Sequence, residues 1–301
     1  MEAPDLSALR TEQRDPALAE LDLLPTVDVV RAVVRGHDAV LEAVAAVESE
    51  IARLAEAAAA RMDAGGRVIY AGAGTAGRVA MLDALEWRPT FDLADGDVVA
   101  LLAGALMPPG SPEEAAAEDD ERQGRADVAA LAPRSEDVVV AVSASGRTPY
   151  ALGAVRAAAA AGALTAAVTS QPGSVLAREV AVAIEVPVGP EVISGSTRLK
   201  AATAQKLVLN AFSTATMVRR GRTLGDLMAG MRVANEKLRA RAARVCRQAV
   251  GCTADEARAA LAAAGDDLDV AILIAARGID AAEARRRLAA TNRSVRAALE
   301  A

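Results

Sequence analysis

The chain has 301 residues, 52% of them hydrophobic but only 2% aromatic, and 34 basic against 40 acidic side chains leave a net charge of −6. That length holds one large core and a smaller module built mainly from Ala, Val and Leu, and the mild acidity excludes the concentrated basic face a nucleic-acid partner would need. No apolar run approaches the ~20 residues of a membrane span, Met1–Asp5 lacks the basic and apolar stretches of a secretory leader, and Cys246 and Cys252 fit neither a disulfide framework nor a metal site, so a cytoplasmic protein with reduced thiols is expected.

The first 25 residues, polar and interrupted by Pro16 and Pro25, read as an extended arm. Thr26 is placed to cap a short helix to about Arg35, and Asp38 a long one to about Arg61, with Val40, Leu41, Val44, Val47, Ile51 and Leu54 at helical spacing. His37 falls between them as a turn residue. As the single histidine of the chain it supports neither a metal constellation nor a Ser-His triad. Short β-rich runs then alternate with helical stretches: Arg67–Ala71, Asp97–Ala103, Asp137–Val142, Leu164–Thr169 and Val182–Val186. Their near-continuous apolar character predicts an α/β fold, a doubly wound five-stranded parallel sheet covered on both faces. Right-handed crossovers place the strand-to-helix loops on one edge, where ligands bind in such folds. Helices dominate from residue 198 to about Ala243, and from Cys252 four short amphipathic stretches are separated by Gly265, Gly278 and Asn292. The expected organisation is an N-terminal arm with helices over 1–58, the sheet domain with its following helices over 59–245, and a small all-helical module over 250–301.

Two of the loops carry candidate chemistry. The apolar run ending at Val142 enters Ser143-Ala144-Ser145-Gly146-Arg147-Thr148-Pro149-Tyr150, with a helix starting near Thr148. Backbone N–H groups, hydroxyls and a positive helix end meet there, which suits a phosphate. Gly72-Ala73-Gly74-Thr75-Ala76-Gly77 satisfies G-x-G-x-x-G between a strand and a helix, so a dinucleotide site must be weighed. Such a site also needs an acid at the end of the next strand to hold the ribose, and here that strand ends Leu101-Leu102-Ala103-Gly104-Ala105. A sugar-phosphate loop with Thr75 as hydroxyl donor is the better account. Taken alone, Glu86 reads as a surface charge and the acidic run from Glu113 to Glu121 as a solvated helix face. Gly195–Lys200 reads as a cap, through Ser196 or Thr197, for a helix over Ala201–Met217.

Ser143–Tyr150 also resembles the sugar-phosphate loop of the sugar isomerase (SIS) domain, in the form found in N-acetylmuramic acid 6-phosphate etherases. Thr11–Asp15, Gly72–Arg78, Leu82–Glu86, Ala117–Asp120, Gly195–Lys200, Ala204–Asn210 and Asn235–Lys237 agree with that family in the same order, over about residues 10 to 300. The C-terminal helices resemble a ubiquitin-associated-like module, which reads either as an interaction module or, the preferred account, as an extension that stabilises a dimer. The resemblance implies a small-molecule sugar phosphate as ligand and a homodimer. It places the phosphate on Ser143, Ser145, Gly146 and Thr148, with Thr75 reaching in and Ser196 and Lys200 or Arg198 closing over it. It makes Glu86 the general acid on the departing lactate oxygen and Glu118 the base, with no metal or organic cofactor. The chain departs from the family pattern at Ala76, where serine is usual, at Trp87 and Arg88, where cysteine and proline are, and at Ala115, where glutamate is. Three activities fit: a carbon–oxygen lyase that removes D-lactate, a non-catalytic sugar-phosphate sensor, and an aldose–ketose isomerase. The elimination needs two carboxyl groups in opposite protonation states, so Glu86 is expected in the drier setting. One unbroken helix from Thr75 would carry Glu86 about 16 Å from its own loop. Either a partner subunit receives it, or the helix ends early and turns back.

Overall fold

The computed structural model describes residues 9–108, 110–231, 233 and 235–301; the stretch Met1–Asp5 considered for a leader lies outside them. The arm is more compact than expected: short 3-10 turns cover Arg10–Glu12, Pro16–Leu18 and Leu21–Leu23. It is also anchored, with Leu9 and Thr11 buried. Gly195 N–H donates to the Thr11 carbonyl (2.8 Å), Ser194 Oγ to the Glu12 carbonyl (2.6 Å) and Arg10 N–H to Gln171 Oε1 (3.0 Å). A polar segment can dock in this way when distant loops satisfy its backbone groups, a pairing that no local pattern announces.

Helices α1 (Thr26–Gly36), α2 (Asp38–Ala45) and α3 (Glu48–Asp63) follow. Thr26 and Asp38 are first helical residues rather than side-chain caps, and the expected long helix is two, parted at Ala46–Val47; nothing in the local sequence marks that break. Val40, Ile51 and Leu54 are buried as their spacing requires, whereas Leu41 is exposed. His37 is the turn residue between α1 and α2, its Nδ1 2.7 Å from the Val33 carbonyl and its Nε2 3.1 Å from Thr203 Oγ1.

The strands are β1 (Val68–Gly72), β2 (Val98–Leu102), β3 (Val138–Val142), β4 (Leu164–Thr169) and β5 (Val182–Glu185), within a residue or two of the runs read from the sequence. They form one parallel sheet in the order β2-β1-β3-β4-β5. Between them run α4 (Gly74–Phe91), α5 (Pro112–Ala117), α6 (Glu121–Ala130), α7 (Pro149–Ala160) and the short α8 (Val175–Arg178). Every residue of β1 and β3 is buried, as central strands covered on both faces must be. Val128 of α6 and Ala154 and Ala158 of α7 pack with Ile69, Ala71 and Val139; small side chains let these helices lie close to the sheet. From β1 the chain moves to β2 on one side and later to β3 on the other. That reversal opens a crevice at the carboxyl ends of β1 and β3.

Contacts divide the chain into two compact units, one reaching Ala84 and including Gly96–Phe212, the other Leu85–Asp95 and Ser213–Ala301; α4 and α9 (Lys200–Arg219) run from the first into the second. The second unit holds an antiparallel pair, β6 (Thr223–Leu224) and β7 (Leu227–Met228). Its helices are α10 (Glu236–Val250), α11 (Ala254–Ala264), α12 (Leu268–Arg277), α13 (Ala281–Ala290) and α14 (Val295–Glu300). Leu261, Leu268, Ile272, Leu288 and Val295 share a core with Ala242, Val245 and Cys246 of α10, so the cluster is larger than the 250–301 module. Cys246 and Cys252 are free thiols, and burial pushes Cys246 up to about 12. No helix among the described residues is long and apolar enough to cross a membrane.

Candidate active site at the ends of β1 and β3

A cavity of about 440 Å³ occupies the crevice. Its walls come from the start of α4 (Gly74, Thr75, Ala76), the β3–α7 turn (Ser143, Ser145, Arg147, Thr148), Glu118 and Asp119, the arm (Leu9, Thr11, Glu12), and Gly195 with Thr197. A larger groove of about 800 Å³ between α10 and α11 is lined mainly by alanine and arginine, with Glu236 and Asp266, and has no hydroxyl group on its walls.

The glycines of the β1–α4 turn serve packing. A Cβ on Gly77 would lie 2.7 Å from the Gly72 carbonyl and 2.5 Å from Leu102 Cδ1, so α4 begins flush against β1. The first N–H groups of a helix have no intrahelical partners, and Gly74, Thr75 and Ala76 line the cavity at that point. This explains the G-x-G-x-x-G spacing without a dinucleotide.

The β3–α7 turn is organised by hydroxyls. Thr148 precedes α7, yet its side chain does not cap the helix. Its Oγ1 donates instead to Glu118 Oε1 (3.0 Å). A hydroxyl has one proton to give. Ser143 Oγ therefore donates to Thr148 Oγ1 (2.9 Å), while accepting from Gly146 N–H (3.0 Å). A relay thus runs from the Gly146 amide through two hydroxyls to the Glu118 carboxylate. Ser145 Oγ accepts from Arg147 N–H (3.2 Å) and faces the cavity, as Thr75 does. Of the donors assigned to a phosphate, Ser143, Gly146 and Thr148 are committed to the relay; Ser145 touches it only through a long contact with Ser143 Oγ (3.5 Å), and Thr75 stands apart from it.

Glu118 follows α5 and is half-buried. Tyr150 N–H donates to its carbonyl (3.1 Å), and its Oε2 lies 3.8 Å from where a Cβ on Gly74 would be, so the carboxylate is bonded to one turn and faces the other. The acidic run is not one solvated face. Glu114 is buried, ion-paired with Arg78 and accepting from Gly110 N–H, while Asp120 caps α6 by accepting from Gln123 N–H (2.9 Å).

Other expectations fare differently. The helix α4 is continuous from Gly74 to Phe91, with Pro89 in its last turn, which removes the alternative of an early end before Glu86. Glu86 is exposed rather than dry, and it does not line the cavity. Ala76 lines the cavity, Ala115 is exposed, Trp87 is buried and Arg88 is ion-paired with Asp95. The start of α9 is capped by neither Ser196 nor Thr197. The buried Glu191 carboxylate accepts from Lys200 N–H and Ala201 N–H (both 2.9 Å), a negative group at the positive end of a helix. Lys200 is buried, and it, Ser196 and Arg198 are absent from the cavity wall, where Gly195 and Thr197 stand instead. Thr11, Glu12, Asp119 and Arg147 had no assigned role; all four fall inside strings that agree with the family, which was the available signal. Among the described residues no cluster of His, Cys, Asp and Glu could hold a metal ion.

Residues 50–159 match the glucokinase regulatory protein N-terminal SIS domain and residues 123–215 the SIS domain. The chain is 51% identical over 294 residues to an N-acetylmuramic acid 6-phosphate etherase of Rubrobacter xylanophilus, covering 98% of this chain and 97% of that protein. It is 48% identical over 297 residues to one of Streptomyces coelicolor, covering 98% and 95%. A phosphoheptose isomerase structure from Francisella tularensis superposes with a TM-score of 0.53 at 19% identity, over 65% of this chain and 100% of that one, a likeness of fold. With half of its residues shared along nearly the whole length of these relatives, the chain belongs to the N-acetylmuramic acid 6-phosphate etherase family.

Proposed function

We propose that this chain is a lyase that cleaves the D-lactyl ether of N-acetylmuramic acid 6-phosphate, giving N-acetylglucosamine 6-phosphate and D-lactate. The observation that carries the reading is the position of Glu118, a half-buried carboxylate held between two phosphate-suited turns. An alkoxide is a poor leaving group, so direct displacement of the lactyl oxygen is unfavourable. Ring opening exposes an aldehyde at C1 that acidifies the C2 proton. Glu118 removes that proton, and the enolate expels the C3 oxygen as a carboxylic acid protonates it. Water then adds across the double bond, oxygen to C3 and hydrogen to C2. The phosphate sits at the start of α7 on Ser145 and backbone N–H groups, with Thr75 from the first turn. When it also draws on the hydroxyls of Ser143 and Thr148, the relay releases a Glu118 oxygen for the C2 proton.

Glu86 is the proton donor in this reading, and it acts in a partner subunit's cavity. It follows Thr75 by eleven positions on one unbroken helix, about 16 Å along the axis, more than a hexose spans between its phosphate and C3. The assembly is a homodimer, the partner supplies the drier setting that the exposed Glu86 lacks, and the C-terminal helical module stabilises the pair. The reaction belongs to cytoplasmic recycling of cell-wall amino sugars. D-lactate release from the muramic acid phosphate tests the activity. C2 deuterium exchange without lactate would instead indicate an isomerase, and neither signal a sensor. Mixing Glu86→Gln with Ser145→Ala chains is expected to restore activity in hybrid dimers; hybrids without activity would exclude the shared site. Glu86→Gln is expected to exchange the C2 hydrogen while releasing almost no lactate, and the reverse pattern would exchange the roles of the two glutamates.

A further inference from the structure

The N-terminal arm brings another carboxylate to the cavity. Glu12 lines the wall beside Thr11 and Leu9, and its carboxylate lies against Gly195, where a Cβ would meet Oε2 at 2.7 Å. Among the described residues that carboxylate has no hydrogen bond or ion pair, whereas the Glu118 carboxylate accepts from Thr148. The surrounding main chain is held without its help, through the Thr11 carbonyl on Gly195 N–H, the Glu12 carbonyl on Ser194 Oγ, and Arg10 N–H on Gln171. The fold therefore fixes a half-exposed, acceptor-only group on a wall built by a different segment from the phosphate turn.

We infer that Glu12 is a ligand-recognition residue, accepting a hydrogen bond from an O–H or N–H group on the sugar. The inference rests on the sugar-phosphate reading above. A carboxylate on this wall offers no donor to a phosphate, whereas the turn before α7 offers the Ser145 hydroxyl at a helix start. The same carboxylate attracts the donors of the sugar, namely its ring-opened hydroxyls and acetamido N–H. Glu12 thereby selects which way round the ligand enters and favours a polyhydroxylated chain over phosphate alone.

Calorimetric titration of the full-length protein with N-acetylglucosamine 6-phosphate and, separately, with inorganic phosphate tests this. Glu12→Ala is expected to weaken sugar-phosphate binding by about ten- to a hundredfold, the effect of one charge-assisted hydrogen bond. Glu12→Gln, which keeps one acceptor oxygen, is expected to weaken it less, and inorganic phosphate is expected to bind both variants as it binds the unaltered chain. Unchanged sugar-phosphate affinity in both variants would overturn the inference. A parallel loss of both ligands would overturn it too, because that marks a purely structural role for the arm. Titration needs no turnover: if the unaltered chain binds the sugar phosphate but releases no D-lactate, the lyase reading falls while the result for Glu12 stands.

Discussion

The turns after β1 and β3 face one cavity but are built by opposite means. The β1–α4 turn is made by contact: Gly72 and Gly77 touch, the helix closes on the strand, and Thr75 is its lone hydroxyl. The β3–α7 turn is made by hydrogen bonds, a relay of Gly146, Ser143 and Thr148 ending on Glu118. The first turn is therefore sensitive to volume; the second depends on single protons, with Gly146 its one tight position, where a Cβ would press on Ser174. Glu118 stands where they meet, so the two kinds of damage separate into stability and chemistry.

The largest effect is expected at that meeting point. Glu118→Gln should lower turnover on the order of 10²–10⁴-fold and abolish C2 deuterium exchange, since neither turn offers another base of its own. Retention of both lactate release and exchange would mean the reaction takes place elsewhere. Next comes the contact-built turn. Gly77→Ala puts a methyl group 2.7 Å from Gly72 backbone and should destabilise the fold by about 1–3 kcal/mol, read as a lower urea midpoint. An unaltered midpoint would show that the strand–helix contact has slack.

The hydrogen-bonded turn should respond in function, not in stability. Ser145→Ala removes a cavity-facing hydroxyl whose link to the relay is one long contact with Ser143 (3.5 Å), so KM should rise about tenfold while the melting temperature holds. A lower melting temperature with constant KM would make Ser145 part of the turn's framework. The smallest effect belongs to Thr148→Ser, which keeps the proton donated to Glu118 and should leave kcat/KM within roughly threefold, below about 0.7 kcal/mol. A much larger loss would show that the Thr148 methyl group, not its hydroxyl, positions the carboxylate.

The same contrast explains what could be read in advance. The strands were legible because apolar runs of four to six residues between helical stretches have few other solutions, and the observed bounds shift by little. Both turns were legible from their glycines and hydroxyls. The acidic run was not, because Glu114 is turned inward by Arg78 and Glu118 by Thr148, partners 36 and 30 positions away. The α9 cap was misplaced for a related reason: Glu191, nine residues before Lys200, reaches the helix start that Ser196 and Thr197 were adjacent to. The arm looked extended because its anchors, Gly195 and Gln171, are more than 150 positions distant.

By itself the amino-acid order determined the parallel sheet, the edge on which its loops gather, and the two turns suited to a phosphate. Periodicity and turn chemistry act within a few residues, and they are strong here. Only the tertiary structure decided which hydroxyls remain available to a ligand, that Lys200 is withdrawn from the cavity while Glu12 is placed on it, and that α4 runs unbroken past Glu86. Those outcomes depend on where donors and acceptors distant in sequence come to rest, and a hydroxyl with a single proton serves whichever partner the fold brings within about 3 Å.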